Sequence, residues 1–231
     1  MWNGKKKAIT FSFDDGVKQD VRLIEILNKY SLKGTFNLNS ELLGNKNTLD
    51  CFGKIVSHDK LDPSEVASVY KGHEVAAHTL THPNLTTLSE QEIIDQVEKD
   101  RENLSKLCGY EVIGMAYPCG GVNNDDRVAE IISSKTGIKY VRTITSTYKF
   151  DKQNNLFRFN PTIHYTEKDL EKIIDKFLNI KTEDPQLLYI WGHSYEMDAD
   201  LITWENFEKV CKKLSFREDC FYGTNKEVLL V

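Results

Sequence analysis

Short apolar runs alternate with amphipathic segments along the whole chain. Apolar runs of this length, bounded by polar residues, glycine or proline, are typical of buried strands. They predict strands over residues 8–13, 34–38, 74–77, 113–117, 140–145 and 187–191. The first of these strands ends abruptly in two acids and a glycine, Asp14, Asp15 and Gly16.

The segments between the strands carry signals of helices. Residues 20–30 place apolar side chains at helical spacing, and a last helix is predicted over residues 204–214. Three further helices have a capping pattern, in which a Ser, Thr or Asp precedes an acid by three residues. These patterns start at Asp62, Ser89 and Thr166, and the helices are predicted to run toward residues 70, 107 and 178.

Strands that alternate with helices imply a parallel sheet with right-handed crossovers, and closing such a sheet gives a (β/α) barrel. No internal repeat, low-complexity tract or linker divides the chain, so we expect one domain over residues 1–231. Residues 40–60 have no clear periodicity and are predicted to form a long loop near the barrel mouth. His58 is predicted to be an ordinary residue of that loop.

The composition fits one sizeable core and excludes several classes of function. The 231 residues are 40% apolar and 28% charged, which does not indicate disorder. A net charge of −5 gives no electrostatic footprint for nucleic acid. No apolar stretch approaches membrane-spanning length, and no leader is evident, so we expect a cytoplasmic protein unless the chain is a fragment of an exported one. Five cysteines without CxxC spacing predict reduced thiols, and the oligomeric state stays open.

Candidate chemistry lies at the predicted strand ends. Asp14 and Asp15 follow the first strand, while His78 and His82 are four residues apart after the third. That spacing, on a helical turn or in a tight loop, lets both imidazoles share a cation, with one of the two carboxylates as the third ligand. The other carboxylate would remain free. Strand C-termini gather at one mouth of a parallel barrel, which is where such barrels hold their active sites.

These segments resemble two motifs of the polysaccharide deacetylase family, whose catalytic module is called the NodB homology domain. Residues 13–16, Phe-Asp-Asp-Gly, and residues 78–82, His-Thr-Leu-Thr-His, match the motifs residue for residue. Residues 72–74, Gly-His-Glu, are similar to the usual lead-in of the second motif. His193, after the last predicted strand, is similar to a further family element.

The resemblance implies a fold, a reaction and a role for each matched residue. The fold would be an irregular (β/α)7 barrel. Asp15, His78 and His82 would hold one divalent metal ion, Asp14 would be the general base and His193 the general acid. Mixed imidazole and carboxylate ligation suits zinc, iron, cobalt, nickel or manganese, and affinity order alone does not choose among them. Zinc is our first choice.

The chain departs from the family pattern in two places. The third family motif normally carries an arginine that holds the catalytic aspartate, and Ala116 stands at that position. Arg142 or Arg158 could replace it. The Asp-Trp pair of the fourth motif is also unmatched. We expect the substrate to contact residues of the third motif and of the last strand, namely Tyr117, Pro118, Cys119, Gly120 and Trp191.

These observations favour metal-dependent hydrolysis of an N-acetyl, or less readily an O-acetyl, group on a carbohydrate or related amide. An activated water, a polarised carbonyl and a protonated leaving amine are the needs of that reaction. The departures keep two alternatives open: a metal-containing glycan-binding module without activity, and an amidohydrolase for linear or cyclic non-glycan amides. A non-haem iron oxygenase fits the ligand types but not the strand–helix alternation.

Overall fold

The computed structural model describes residues 1–231 and contains ten strands. All six predicted strands are present. The strands predicted over residues 113–117 and 140–145 are shorter than predicted. The strands are β1 Lys7–Asp14, β2 Gly34–Leu38, β3 Thr48–Cys51, β4 Lys54–Ser57, β5 Glu74–Ala77, β6 Gly114–Ala116, β7 Tyr140–Arg142, β8 Ile163–His164, β9 Gln186–Gly192 and β10 Cys220–Tyr222.

Seven parallel strands form one curled sheet in the order β7-β6-β5-β2-β1-β9-β8. β10 lies off this path and pairs with the start of β1. The ring is completed by the segment that leads into β8, where Phe159 makes one parallel bridge to Arg142. Every residue of β1 and β9 is buried, as expected for strands covered on both faces. The predicted (β/α)7 barrel is therefore confirmed, in an irregular form.

Helices cover the outside of this sheet, and the five predicted helical segments are all helical. The helices are α1 Asp20–Lys29, α2 Val66–Val69, α3 Glu90–Cys108, α4 Asp126–Lys135, α5 Leu170–Asn179, α6 Tyr195–Asp198, α7 Trp204–Leu214 and α8 Asn225–Leu229. A 3-10 turn, Pro63–Glu65, precedes α2. No helix is long and apolar enough to cross a membrane.

Two local predictions were wrong. Residues 40–60 are not a structureless loop, because β3 and β4 pair there as an antiparallel hairpin with Phe52 and Gly53 at its tip. Both tip residues have positive φ, which the tight turn requires. Thr166 does not cap α5, which begins four residues later. Its hydroxyl lies 2.8 Å from Nδ1 of His164 instead.

Aromatic side chains of β1 and β2 fill the layer between the sheet and the helices that cover it. Phe11 and Phe13 of β1 are fully buried and pack edge-on against Phe207 of α7. Phe36 of β2 stacks on Phe13 at 5.8 Å between ring centroids. Burying rings of this size contributes much of the core stability. The opposite face of β1 looks into the barrel, where Thr10 and Ser12 hydrogen bond to Asn225 of α8 below Asp14.

Candidate active site

The end of β1 presents two adjacent carboxylates in different directions. Asp14 is the last residue of the strand, while Asp15 has φ +85°, in the left-handed region. The N–H of Asp15 donates to the Asn37 carbonyl at 2.9 Å, which holds the turn. Gly16 follows with φ +62°, and a Cβ there would lie only 2.6 Å from Leu38. The reversal makes the two carboxylates point into different parts of the mouth.

Asp14 is buried and surrounded by hydrogen-bond donors and cations. Asn37 Nδ2 donates to its Oδ1 at 2.8 Å, and the Arg142 guanidinium contacts its Oδ2. His193 Nε2 lies 3.9 Å from the same Oδ2. Burial alone would raise the pKa of Asp14, but Arg142, followed by His78 and His193, lowers it below its usual range. Asp14 is thus an ionised carboxylate that can accept a proton.

Asp15, His78 and His82 converge on one point. Each offers one ligand atom, and these three atoms lie within 4.8 Å of one another. His78 Nδ1 donates to the Ala116 carbonyl at 2.8 Å, which leaves Nε2 as the free ligand atom. Burial lowers the pKa of His78 to about 4, so the ring is neutral as a metal ligand must be. The residues present fit a divalent metal ion.

The two histidines belong to a tight loop rather than a helix. Thr79 and His82 both have positive φ, and the Thr79 hydroxyl accepts from the His82 N–H at 3.1 Å. Asp100 of α3 accepts from the His78 N–H at 3.0 Å and from the Ser40 N–H at 2.7 Å. Sequence reasoning missed Asp100, although an acid stands there at the helical spacing of the buried face of α3.

His58 and Lys60 also approach Asp15, which corrects the prediction that His58 is an ordinary loop residue. His58 Nε2 lies 3.3 Å from Asp15 Oδ2. The Lys60 ammonium is buried, lies 3.6 Å from Asp15 Oδ1 and donates to the Asp15 carbonyl at 2.8 Å. Burial opposes ionisation, but His58 and Lys60 hold the pKa of Asp15 well below its usual range. The hairpin segment therefore reaches Asp15, the carboxylate of the candidate metal site.

His193 follows β9 and is held by a carboxylate that sequence reasoning missed. Glu196 of α6 is 7% exposed, and its Oε2 accepts from the His193 N–H at 3.0 Å. Its Oε1 lies 3.4 Å from His193 Nδ1. Burial alone would lower the pKa of His193. The negative charges of Glu196, then of Asp14 and Asp15, outweigh this effect and raise the pKa to about 9. His193 is a protonated imidazolium facing Asp14 at neutral pH.

Trp191 and Arg142 stack beside these groups. The Arg142 guanidinium lies 4.3 Å from the centroid of the Trp191 ring, a cation–π contact that fixes both side chains. Arg158, the other arginine considered from the sequence, pairs instead with Asp126 at 2.5 Å and with Asn124 at 2.8 Å. Arg142 is therefore the residue that replaces the missing arginine of the third motif.

A cavity of about 270 Å³ opens above Asp14 and the three candidate metal ligands. Four of the five predicted substrate contacts line it, together with two residues that sequence reasoning missed, Ile144 and Tyr195. Pro118 is buried and is not among the lining residues. Cys119 donates from Sγ to the His82 carbonyl at 3.4 Å, and burial raises the pKa of its thiol, so it is a wall residue rather than a nucleophile.

A second cavity of about 590 Å³ adjoins the first, because Trp191, His193 and Tyr195 line both. Its other wall is the β3–β4 hairpin, including Phe52, whose side chain is 88% exposed. His164 and Glu196 also face it. A larger depression of about 620 Å³ lies among Lys5–Lys7 at the opposite strand ends, where Lys7 pairs with Asp219.

Comparison with solved structures shows that other proteins share this fold. A peptidoglycan deacetylase variant from Bacillus subtilis superposes with a TM-score of 0.57 and 20% identity, covering 97% of this chain and 90% of that one. A pseudoenzyme of carbohydrate esterase family 4 from Bacillus anthracis superposes with a TM-score of 0.54 and 20% identity, covering 99% of this chain and 66% of that one. At these identities the likeness shows the shared fold.

Sequence comparison identifies the family. A peptidoglycan-N-acetylglucosamine deacetylase of Listeria monocytogenes is 30% identical over 128 residues, which are 54% of this chain and 24% of that protein. A peptidoglycan-N-acetylmuramic acid deacetylase of Bacillus subtilis is 29% identical over 125 residues, covering 53% of this chain and 23% of that protein. The chain thus spans about a quarter of the length of these relatives. Since the family model described as polysaccharide deacetylase matches residues 2–141, the chain belongs to the polysaccharide deacetylase family.

Proposed function

We propose that the protein is a metal-dependent deacetylase that hydrolyses an N-acetyl group on an amino sugar or a closely related substrate. One observation carries this proposal: the ionised Asp14 lies beside, but outside, the Asp15–His78–His82 cluster, with His193 on its other side. A base, an acid and a cation site within one small cavity are what amide hydrolysis needs.

Asp15, His78 and His82 would hold the ion. A divalent ion held there supplies Lewis-acid polarisation of the carbonyl and lowers the pKa of a water molecule. The chain itself sets the ligand geometry through the His78 hydrogen bond to Ala116 and through Asp100, which anchors the backbone of His78. Neutral imidazoles and an ionised carboxylate suit zinc, which we take as the resident metal.

Asp14 would accept the proton of the attacking water. Arg142 and Asn37 hold its two oxygens from the sides, so the carboxylate is fixed in orientation and charge. Because His193 lies 3.9 Å from Asp14 Oδ2, the imidazolium does not neutralise the base by a direct short hydrogen bond. The scissile amide would lie in the 270 Å³ cavity that both side chains line, within reach of each.

His193 would donate a proton to the departing nitrogen. Glu196 keeps the ring charged and holds the backbone of His193, and Trp191 with Tyr195 flank the ring on the cavity wall. The names of the curated relatives, which specify N-acetylglucosamine and N-acetylmuramic acid of peptidoglycan, support an N-acetylated amino sugar as the substrate class. The leaving group of an O-acetyl substrate is an alkoxide rather than an amine, and its departure depends less on a proton from His193.

A glycan-binding module without activity is the second candidate. It is favoured by the similarity to a pseudoenzyme fold and by the absence of the fourth motif. The free carboxylate of Asp14 and the Glu196-supported imidazolium of His193 count against it, because a module that only binds has no use for a paired acid and base.

The test is acetate release from N-acetylglucosamine oligomers, peptidoglycan fragments and acetylated xylan by protein loaded with one equivalent of zinc. The Asp14→Asn variant should lose release while its zinc content matches the wild type, because Asp14 is not a ligand. The exposed Asp184→Asn variant is the matched control and should retain release. Undiminished release by Asp14→Asn would remove Asp14 from the base role. No release by the wild type from any substrate would favour the binding module.

A further inference from the structure

A second group of ligating side chains lies on the side of His193 away from the Asp15 cluster. His164 at the end of β8, His193 after β9 and Glu196 of α6 each offer one ligand atom, and these atoms lie within 4.8 Å of one another. The group is built by the fold, because the β8–β9 pairing places His164 in register with Trp191. All three residues face the 590 Å³ cavity, which gives an ion a path to them.

The spacing of the three groups suits a metal ion better than it suits hydrogen bonds. Glu196 Oε2 lies 3.4 Å from His164 Nε2, and Glu196 Oε1 lies 3.4 Å from His193 Nδ1. Ligand atoms on a tetrahedral ion with bonds near 2.1 Å lie about 3.4 Å apart. Since the two distances run to different oxygens of one carboxylate, Glu196 would face the ion with both oxygens. His193 Nδ1 is buried and has no hydrogen-bond partner, although a carboxylate stands beside it. A buried polar atom without a partner is costly, and an ion would satisfy it.

The surroundings also prepare His164 as a ligand. Its Nδ1 lies 2.8 Å from Thr166 Oγ1 and 3.3 Å from the Thr166 backbone nitrogen. In the tautomer that carries the proton on Nδ1, the hydroxyl accepts it and Nε2 is free toward Glu196. An outer-shell partner of this kind fixes the orientation of a metal-bound imidazole. The Trp191 ring packs edge-on against the His164 ring at 4.5 Å between centroids and restricts it further.

We propose that His164, His193 and Glu196 bind a second divalent metal ion of the zinc type, and that this ion inhibits the enzyme. Ligation through Nδ1 takes the lone pair that would otherwise carry a proton, so the ring stops being an imidazolium and ceases to be an effective acid. The inhibitory part rests on the proposed role of His193 in deacetylation, whereas the binding part stands alone.

The experiment is equilibrium dialysis of the purified chain against buffered zinc, with bound metal measured by mass spectrometry and acetate release measured on the same samples. The wild type should bind two ions of unequal affinity and lose activity as the second site fills. His164→Phe keeps an aromatic ring at this position and removes the ligand. It should weaken the second site by more than about tenfold and keep activity at zinc concentrations that inhibit the wild type.

The control is His73→Phe, since His73 directly precedes β5, away from the mouth, where its Nδ1 accepts from the Gly34 N–H. It should bind two ions. A wild type that binds one ion at every zinc concentration overturns the proposal, and this measurement does not depend on how the variants fold. Equal second-site affinity in His164→Phe also overturns it. Two ions bound without acetate release at any zinc level would retain the site and reject the proposed function.

Discussion

The Arg142 guanidinium contacts the Asp14 carboxylate across the barrel mouth, although 128 residues separate the two in sequence. Arg142 is fully buried, and its second nitrogen donates to the Thr143 carbonyl at 3.1 Å. Ala116, at the position where the third motif leads us to expect an arginine, is the register partner of Arg142 on the neighbouring strand. The cation has thus moved one strand along the sheet while still reaching the aspartate.

The first prediction concerns this displaced arginine. Arg142→Ala should leave Asp14 as an unpaired buried charge, at a stability cost of about 3–5 kcal/mol. The pKa of Asp14 should rise, and the acid limb of the pH–activity profile should move to higher pH with it. Chemical denaturation and acetate release across pH measure the two effects.

A matched double variant tests whether Asp14 needs only a guanidinium charge nearby or needs it at residue 142. Register partners on parallel strands present their side chains on the same face of the sheet, so Ala116→Arg combined with Arg142→Ala should restore part of the lost activity. Activity of the double variant no better than that of Arg142→Ala would show that the site needs the β7 position itself.

The sequence was sufficient to predict the barrel because each strand is a short apolar run that ends in a polar or glycine-containing turn. It also predicted most of the mouth, since parallel strands bring their C-terminal residues together. Asp14, Asp15, His78, His82 and His193 lie at those ends, and the structure brings all five to one cavity.

What the sequence could not provide were contacts made by side chains from outside the motifs. The choice between Arg142 and Arg158 depended on the direction of side chains across a closed sheet, which no spacing encodes. His58 reaches Asp15 only because residues 48–57 fold as a hairpin. Glu196 could have been suspected from its position three residues after His193, which is the distance of one helical turn.

The second prediction concerns Glu196 as a positioning residue for His193. His193 must be protonated to donate, so activity should fall as pH rises through its pKa, which Glu196 helps to raise to about 9. Glu196→Gln removes that charge, and the alkaline limb of kcat/KM should move to lower pH by about 1–3 units. The assay should be run at one equivalent of zinc.

Two controls accompany this pH profile. Glu196→Asp keeps the charge and should retain a limb closer to that of the wild type. Glu205→Gln, at an exposed position on α7, should leave the profile unchanged. If Glu196→Gln lowered kcat equally at all pH values, Glu196 would be acting on structure alone rather than on the ionisation of His193.

The third prediction concerns Phe52 at the tip of the β3–β4 hairpin. Its exposed ring lines the cavity that continues from the candidate active site, where further sugars of a linear substrate would lie. Phe52→Ala should lower kcat/KM for longer oligosaccharides by about tenfold, the loss expected for one aromatic contact of about 1.4 kcal/mol. It should leave the value for the shortest cleaved substrate unchanged.

Phe216 offers a matched control for Phe52. It is 68% exposed and also has positive φ, but it follows α7 and lines neither cavity. Phe216→Ala should show no dependence on substrate length. A loss in Phe52→Ala that is equal for short and long substrates would place the effect in the hairpin fold rather than in substrate binding.

The last prediction concerns Asp20 at the start of α1, buried beneath the site, where Ser194 and Tyr70 donate to its two oxygens at 2.6 and 2.7 Å. Burial raises the pKa of Asp20 to about 7 despite these bonds. In the unfolded chain the carboxyl ionises near pH 4. Between about pH 4 and 7 the folded state therefore binds more protons than the unfolded state, so this group's contribution to stability falls as pH rises and levels off above pH 7.

Asp20→Asn cannot lose a proton, so the wild type's stability relative to the variant should decline across this window by a few kcal/mol. Urea unfolding at several pH values, with Asp184→Asn as control, measures the decline, and parallel curves for wild type and Asp20→Asn would contradict it.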